Sequence, residues 1–233
     1  MPTAIITGAS RGLGLALARE LAHHHWRLVI DARGEPALVQ AATELGAVTE
    51  VVAIPGDVTD ARHREALVAA AEQPIDALIN NASALGPSPQ PALSHYELAE
   101  LERVYRVNVL APLALVQLAL PQMAPGGRIL NVSSDAAAEP YPGWGGYGSS
   151  KAALAQLTAI LAAELPELRV YSVDPGDMRT RMHQEAFPDE DISDRPPPEQ
   201  SVPGLLHLLD GDLPSGRYRA REISPALSAG GSR

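Results

Sequence analysis

The sequence predicts an α/β fold: a single domain built on a doubly wound parallel sheet of seven strands, with helices on both faces. Three observations predict it. Short β-rich runs alternate with longer helical ones, the pattern of successive βα units. The strand runs are apolar throughout rather than alternating with polar residues, as strands covered on both faces must be. The chain has 233 residues and no internal repeat, which at roughly 150 residues per domain suits one α/β domain with a substantial core.

The elements follow in order. Thr3-Ala4-Ile5-Ile6-Thr7 reads as the first strand and leads into a helix from about Gly12 to Ala22. Arg27 to Asp31 is the second strand and Pro36 to Leu45 the second helix. Val48 to Ile54 is the third strand, Asp60 to Ala71 the third helix, and Ala77-Leu78-Ile79 a short fourth strand. Ser94 to about Leu120 is a long helical stretch, with a bend expected at Pro112 because proline removes an N–H and clashes with the preceding turn. Arg128 to Val132 is the fifth strand, Tyr147 to Leu165 a helix, and Arg169 to Val173 the sixth strand. Right-handed crossovers then wind the sheet in both directions. Beyond Asp174 the texture changes: residues 177–200 are rich in Pro, Asp and Glu, long enough to suggest a functional loop, read here as a substrate lid. A helix around Glu199 to Leu209 and a strand around Arg217 to Ala220 close the fold, and a flexible tail is expected from about residue 225.

Composition excludes several functions. The chain carries 28 acidic and 18 basic residues, a formal net charge of −10. That opposes nucleic-acid binding, which needs a basic footprint, and adsorption to anionic membranes. With no cysteine, thiolate metal sites, disulfides and cysteine nucleophiles are excluded. The uncharged run Val107–Gly127 has an apolar stretch only from Val109 to Leu120. Its length, about 18 Å as a helix, falls short of the roughly 30 Å of a bilayer core. The start lacks a basic signal-peptide region, so the chain reads as cytoplasmic. His23-His24-His25 reads as a surface turn, since consecutive helical residues point about 100° apart and cannot share one metal; no metal site is expected.

Three clusters carry the chemistry. Thr7-Gly8-Ala9-Ser10-Arg11-Gly12-Leu13-Gly14 joins the first strand to the first helix, where glycines let backbone approach a phosphate and the helix N-terminus favours an anion. Asn80-Asn81-Ala82-Ser83 follows the fourth strand. Tyr147-Gly148-Ser149-Ser150-Lys151 opens a helix, and Ser133-Ser134 ends the strand before it. Tyr147 and Lys151, four apart, share a helix face. A tyrosine titrates at about pH 10, and a nearby ammonium is expected to lower that value, so that the phenol can exchange a proton with a carbonyl or alcohol oxygen.

Together the T-G-x3-G-x-G turn, N-N-A, Ser…Y-x3-K and Pro175-Gly176-x3-Thr180 resemble the single-domain form of the short-chain dehydrogenase/reductase family, over roughly Thr3 to Thr180. The resemblance implies a Rossmann-type domain that transfers hydride between a nicotinamide cofactor and a small-molecule ketone, aldehyde or alcohol. It implies Tyr147 as general acid/base, Ser134, rather than Ser133, as hydrogen-bond partner of the reacting oxygen, and Lys151 as tuner of Tyr147 and ligand of the nicotinamide ribose. Asn108 would hold a water linking Lys151 to solvent. Cofactor contacts would come from Gly8, Ser10, Arg11, Gly12, Leu13 and Gly14 in the turn, Asp57 and Val58 at the adenine, and Asn81 and Ala82 along the adenosine. Pro175, Gly176, Met178 and Thr180 would lie at the nicotinamide. Relatives are often homodimers or homotetramers. Three departures stand out: Ser83 replaces the usual glycine of N-N-A-G, His25-Trp26 stands where glycine commonly precedes the second strand, and the C-terminal region is short. Trp144 is read either as a wall of the substrate pocket or as packing.

Cofactor choice is read at the end of the second strand. Where NAD-preferring relatives place an acidic residue, the count from the glycine turn falls on Ala32, followed by Arg33. A guanidinium pairs with a 2′-phosphate that a carboxylate would repel, so NADP(H) is expected. Asp31 complicates this: alternation sends it to the opposite face from Ala32, but a one-residue slip would make it the ribose ligand. The alternatives are an NAD-dependent alcohol dehydrogenase of the same family and a non-catalytic dinucleotide sensor.

Overall fold

The computed structural model describes residues 1–72 and 74–223; the tail expected from about residue 225 lies outside them. Seven parallel strands form one sheet in the order β3-β2-β1-β4-β5-β6-β7. They are β1 Thr3–Ile6, β2 Arg27–Ala32, β3 Val51–Pro55, β4 Ile75–Asn80, β5 Met123–Val132, β6 Arg169–Asp174 and β7 Gly216–Arg219. The order reverses between β1 and β4, the switch point at which such sheets open a crevice beyond their carboxyl ends.

The apolar strands are explained by two cores, one on each face. Ala4, Ile6, Leu28, Ile30, Ala77, Ile79, Tyr171 and Val173 face one core. It is covered by α1 Gly12–His23, α2 Glu35–Gly46 and α8 Val202–Asp210. Ile5, Val29, Leu78, Ile129 and Val170 face the other, where α3 Ala61–Ala69 and α5 Ala111–Ala119 pack. Neighbouring residues of one strand thus serve opposite cores, and burying both removes the polar alternation from the sequence.

Two local expectations are corrected. The third strand begins at Val51, not Val48, because the N–H groups of Val48 and Thr49 both donate to the Leu45 carbonyl and close the turn after α2. The fifth strand runs from Met123, and its pairing with β4 shifts register between Ile75 and Ala77. The long helical stretch is irregular just before Pro112, where the bend is expected. It runs as α4 Leu98–Tyr105, a π-helical turn over Arg106–Leu110, and then α5. Pro112 sits in the first turn of α5, where a missing N–H costs little. The whole run Leu98–Gln122 is long and apolar enough to cross a membrane by length and composition, with half of its most apolar window buried within the fold.

His25 takes φ +59 after α1. Its N–H bonds Ala22 O and the Trp26 N–H bonds Leu21 O, a Schellman closure whose left-handed position favours glycine. The departure noticed in the sequence is therefore a histidine in a glycine's conformation. Residues 177–200 are not a bare loop: Thr180 caps a short helix, α7 Arg181–Ala186, by accepting from the His183 N–H.

Candidate active site

The glycine turn between β1 and α1 is held from beneath. Gly8 and Gly12 take φ +69 and +56, which side-chain-bearing residues rarely adopt. A Cβ on Gly14 would fall 2.5 Å from both Gly8 O and Asn81 Nδ2. The Asn81 amide donates to Thr7 O at 2.8 Å and Gly8 O at 3.1 Å. The Thr7 hydroxyl accepts the N–H groups of Asn81 and Ala82, each at 3.0 Å. The Asn81 amide nitrogen thus braces the turn while the residue still lines the cavity below, and Gly14, read as a cofactor contact, packs behind the turn rather than facing the cavity. The first turn of α1 carries no acidic residue and no side-chain cap, so its N–H groups and positive dipole end face outward.

A cavity of about 750 Å³ opens here, lined by Gly8, Ser10, Arg11, Gly12, Leu13, Ala32, Arg33, Asp57, Val58, Asn81, Ala82, Ser83, Tyr147, Lys151, Pro175, Met178 and Thr180. Nearly every residue assigned to cofactor from the sequence therefore lies on one surface. Gly176, φ +74, lines instead an adjoining pocket of about 90 Å³ with Ser134, Asp135, Trp144, Tyr147 and Asp174. The glycine cradle, the uncapped helix start and a buried Ser133 hydroxyl that lines both spaces without a partner fit a bound dinucleotide.

Asp31 is buried beneath the turn. Its carboxylate accepts the Gly8 N–H at 2.7 Å and pairs with His63 Nε2 at 2.9 Å. The strand alternation therefore holds: Ala32 faces the first core and Asp31 the opposite side. His63 escaped the sequence reading, because a histidine early in an amphipathic helix carries no local signature. Its ring occupies the space a Cβ on Gly56 would need. At Asp57, burial pushes the carboxyl up, but the Thr59 N–H and hydroxyl, Arg33 and His63 outweigh it and leave the pKa lowered.

Tyr147 and Lys151 stand on one face of α6 Gly145–Glu164, both buried. Lys151 Nζ lies 5.5 Å from the Tyr147 ring centroid and donates to Val132 O at 2.8 Å. The expected depression of the tyrosine does not occur. Burial drives the phenol well above its ordinary value, and the charges of Asp174 and Asp135 push the same way. The nearby Ser134 and Ser83 hydroxyls oppose them. Burial also lowers Lys151 to about 7. Desolvation disfavours charge on both partners, so the free site holds a protonated phenol. Ser134 donates to Asp135 Oδ1 at 2.8 Å, and Tyr141 OH donates to the other Asp135 oxygen at 2.9 Å.

Asn108 sits in the π turn, fully buried. Its amide donates to Ala84 O and Ser150 Oγ, both at 2.9 Å. Its oxygen accepts from Ala84 N at 2.7 Å and Ser83 Oγ at 3.1 Å. All four bonding positions of the side chain are filled from within the protein, which fixes Asn108 against Ser83, Ala84 and Ser150. Trp144 lines the smaller pocket and packs edge-on against Tyr147 at 5.8 Å and tilted against Phe187 at 5.6 Å. Among the described residues no cluster of His, Asp and Glu could hold a metal.

Comparison with known proteins places this geometry in a family. Residues 2–191 match the short chain dehydrogenase model. Sepiapterin reductase of Mus musculus is 38% identical over 197 residues, covering 77% of this chain and 76% of that protein. Benzil reductase ((S)-benzoin forming) of Saccharomyces cerevisiae is 35% identical over 193 residues, covering 78% and 73%. Among solved structures, a short chain dehydrogenase from Pseudomonas syringae superposes with TM-score 0.88 at 29% identity over 94% of each chain. One from Shigella flexneri, solved with NADP, gives 0.86 at 27% identity over 94% of this chain and 97% of that one. The chain belongs to the short chain dehydrogenase family, oxidoreductases that bind a nicotinamide dinucleotide.

Proposed function

We propose that the protein is an NADP(H)-dependent carbonyl reductase, interconverting a free ketone or aldehyde with its alcohol. One observation carries the reading: Ser134 and the buried pair Tyr147 and Lys151 meet where the large cavity adjoins the small pocket. The α1 N-terminus and the Gly8–Gly12 backbone would hold the pyrophosphate. Arg11 and Arg33 would hold a 2′-phosphate beside Ala32, where no carboxylate repels it. Lys151 would bond the nicotinamide ribose. When bound, the dinucleotide supplies or takes up the hydride.

The chain's own residues manage the proton. Ser134 turns its hydroxyl from Asp135 to the substrate oxygen and fixes it beside the phenol. Tyr147 then gives its O–H proton to that oxygen during reduction, or takes one up during oxidation. The raised phenol pKa keeps Tyr147 in the protonated form from which reduction starts. Trp144, backed by Phe187, would give the substrate pocket an aromatic wall. This agrees in kind with the aromatic substrate in the name of the yeast relative. The test is NADPH oxidation across a panel of ketones, aldehydes and quinones that includes benzil. Carbonyl-dependent oxidation of NADPH is expected; no turnover with any member, in protein that binds NADPH, contradicts the reading.

A further inference from the structure

Asp31 is the acidic residue of β2, and the proton chemistry at Tyr147 makes no use of it. It is 1% exposed, yet it lines the large cavity with Gly8, Gly56 and Asp57. A buried carboxylate is costly unless hydrogen bonds and a partner hold it. This one has both. Its Oδ1 accepts the Gly8 N–H at 2.7 Å, and its Oδ2 pairs with His63 Nε2 at 2.9 Å. The backbone of the same residue holds the next position of the turn, since Asp31 O accepts the Ala9 N–H at 2.9 Å.

His63 is buried on α3 and is fixed in turn. Its ring lies against Gly56, where any side chain would displace it, and the Gly56 N–H donates to Ala32 O at 3.1 Å. A chain of contacts thus runs from Gly56, beside the expected adenine contacts Asp57 and Val58, through His63 and Asp31 to Gly8 and Ala9. Gly8 holds φ +69. Glycine reaches that region easily and leaves it as easily, since it populates both signs of φ. Anchors on two consecutive N–H groups remove this freedom before a ligand arrives, and a site ordered in advance binds at lower entropic cost. A negative charge beneath a phosphate turn opposes an anionic ligand, so the carboxylate serves the site by geometry.

We propose that Asp31 and His63 are positioning residues of the dinucleotide site: they preset the glycine turn and tie it to the Gly56–Val58 segment. The assignment rests on the reading of the large cavity as the dinucleotide site. It is separate from cofactor choice, because the turn would meet the pyrophosphate that NAD⁺ and NADP⁺ share.

The test is the dissociation constant of NADP⁺ and of NAD⁺, measured by calorimetry on the full chain and on Asp31→Ala, His63→Ala and Asp31→Asn. Thermal unfolding of each protein shows that it is folded. Asp31→Ala should weaken both dinucleotides by the same factor, about tenfold or more, as for loss of a hydrogen bond to a charged group. His63→Ala should weaken both by a smaller factor, because Gly8 keeps its acceptor. Asp31→Asn should restore binding close to that of the parent protein or tighter: its amide oxygen can accept the Gly8 N–H, and its amide N–H can donate to the other tautomer of His63. If Asp31→Ala does not fold, His63→Ala set against Asp31→Asn decides. Parent-like affinity in both alanine variants overturns the proposal. So does a loss in Asp31→Asn as large as in the alanine variants, or a loss confined to one of the two dinucleotides. Failure of the parent protein to bind either dinucleotide overturns instead the reading of the cavity, and the proposal with it.

Discussion

At the scale of single residues, the site is governed by what burial does to charge. Tyr147, Lys151 and Ser134 were legible from spacing, because a helix puts i and i+4 on one face and the order of the motifs is distinctive. The electrostatic sign was not legible. Spacing shows a lysine near a tyrosine, but desolvation depends on everything packed around both, and it keeps the phenol protonated while lowering Lys151 to about 7. The Asp31–His63 pairing was hidden for the same reason: it joins β2 to α3 across 32 residues. That pairing bears on the cofactor. The Asp31 carboxylate is bonded to the Gly8 N–H and His63, although it lines the same cavity as Ala32 and Arg33, and Arg33 is the residue proposed to choose the cofactor. Arg33→Ala should weaken kcat/KM with NADPH by about one to two powers of ten and leave NADH much less changed, as expected for loss of a hydrogen bond to a charged group. Ala32→Asp should shift preference toward NADH. If the parent protein already favours NADH, Asp31 reaches the ribose after all and the arginine assignment fails.

At the scale of elements, apolar runs and turn chemistry revealed every strand and most helices, while boundaries followed hydrogen bonds that no local pattern announces. The π turn at Arg106–Leu110 is the clearest case. Proline was the visible breaker, yet Pro112 is absorbed in a helix's first turn, and the irregularity falls where Asn108 must reach Ala84, Ser83 and Ser150. Such π segments recur at functional sites. The segment 177–198 is proposed to close over cofactor and substrate. Met178, Thr180, Met182 and Glu185 line the large cavity, and Asp177, His183 and Ala186 line the small one. Its one helix is only six residues long, too short to be stable without packing. Amide hydrogen exchange there should slow on addition of NADP⁺ and slow further with a bound carbonyl. Equal exchange in all three states would show that it is not a lid.

At the scale of the whole molecule, the fold delivers distant residues to one place. The order β3-β2-β1-β4-β5-β6-β7 sets the glycine turn, the Asn81–Ser83 segment, Ser134 and Pro175–Gly176 at adjacent strand ends, and α6 lays Tyr147 and Lys151 across them. Those strands bury both faces, so the frame is rigid where the chemistry needs fixed geometry. The central claim is that Tyr147 moves the proton in an NADPH-dependent carbonyl reduction. The most direct measurement compares turnover and NADPH affinity of the parent protein with those of Tyr147→Phe, which keeps the ring but removes the acidic hydrogen. General acid catalysis contributes about 10²–10⁴-fold, so kcat should fall by at least that range while NADPH binds as before. Near-normal turnover in the variant would contradict the account.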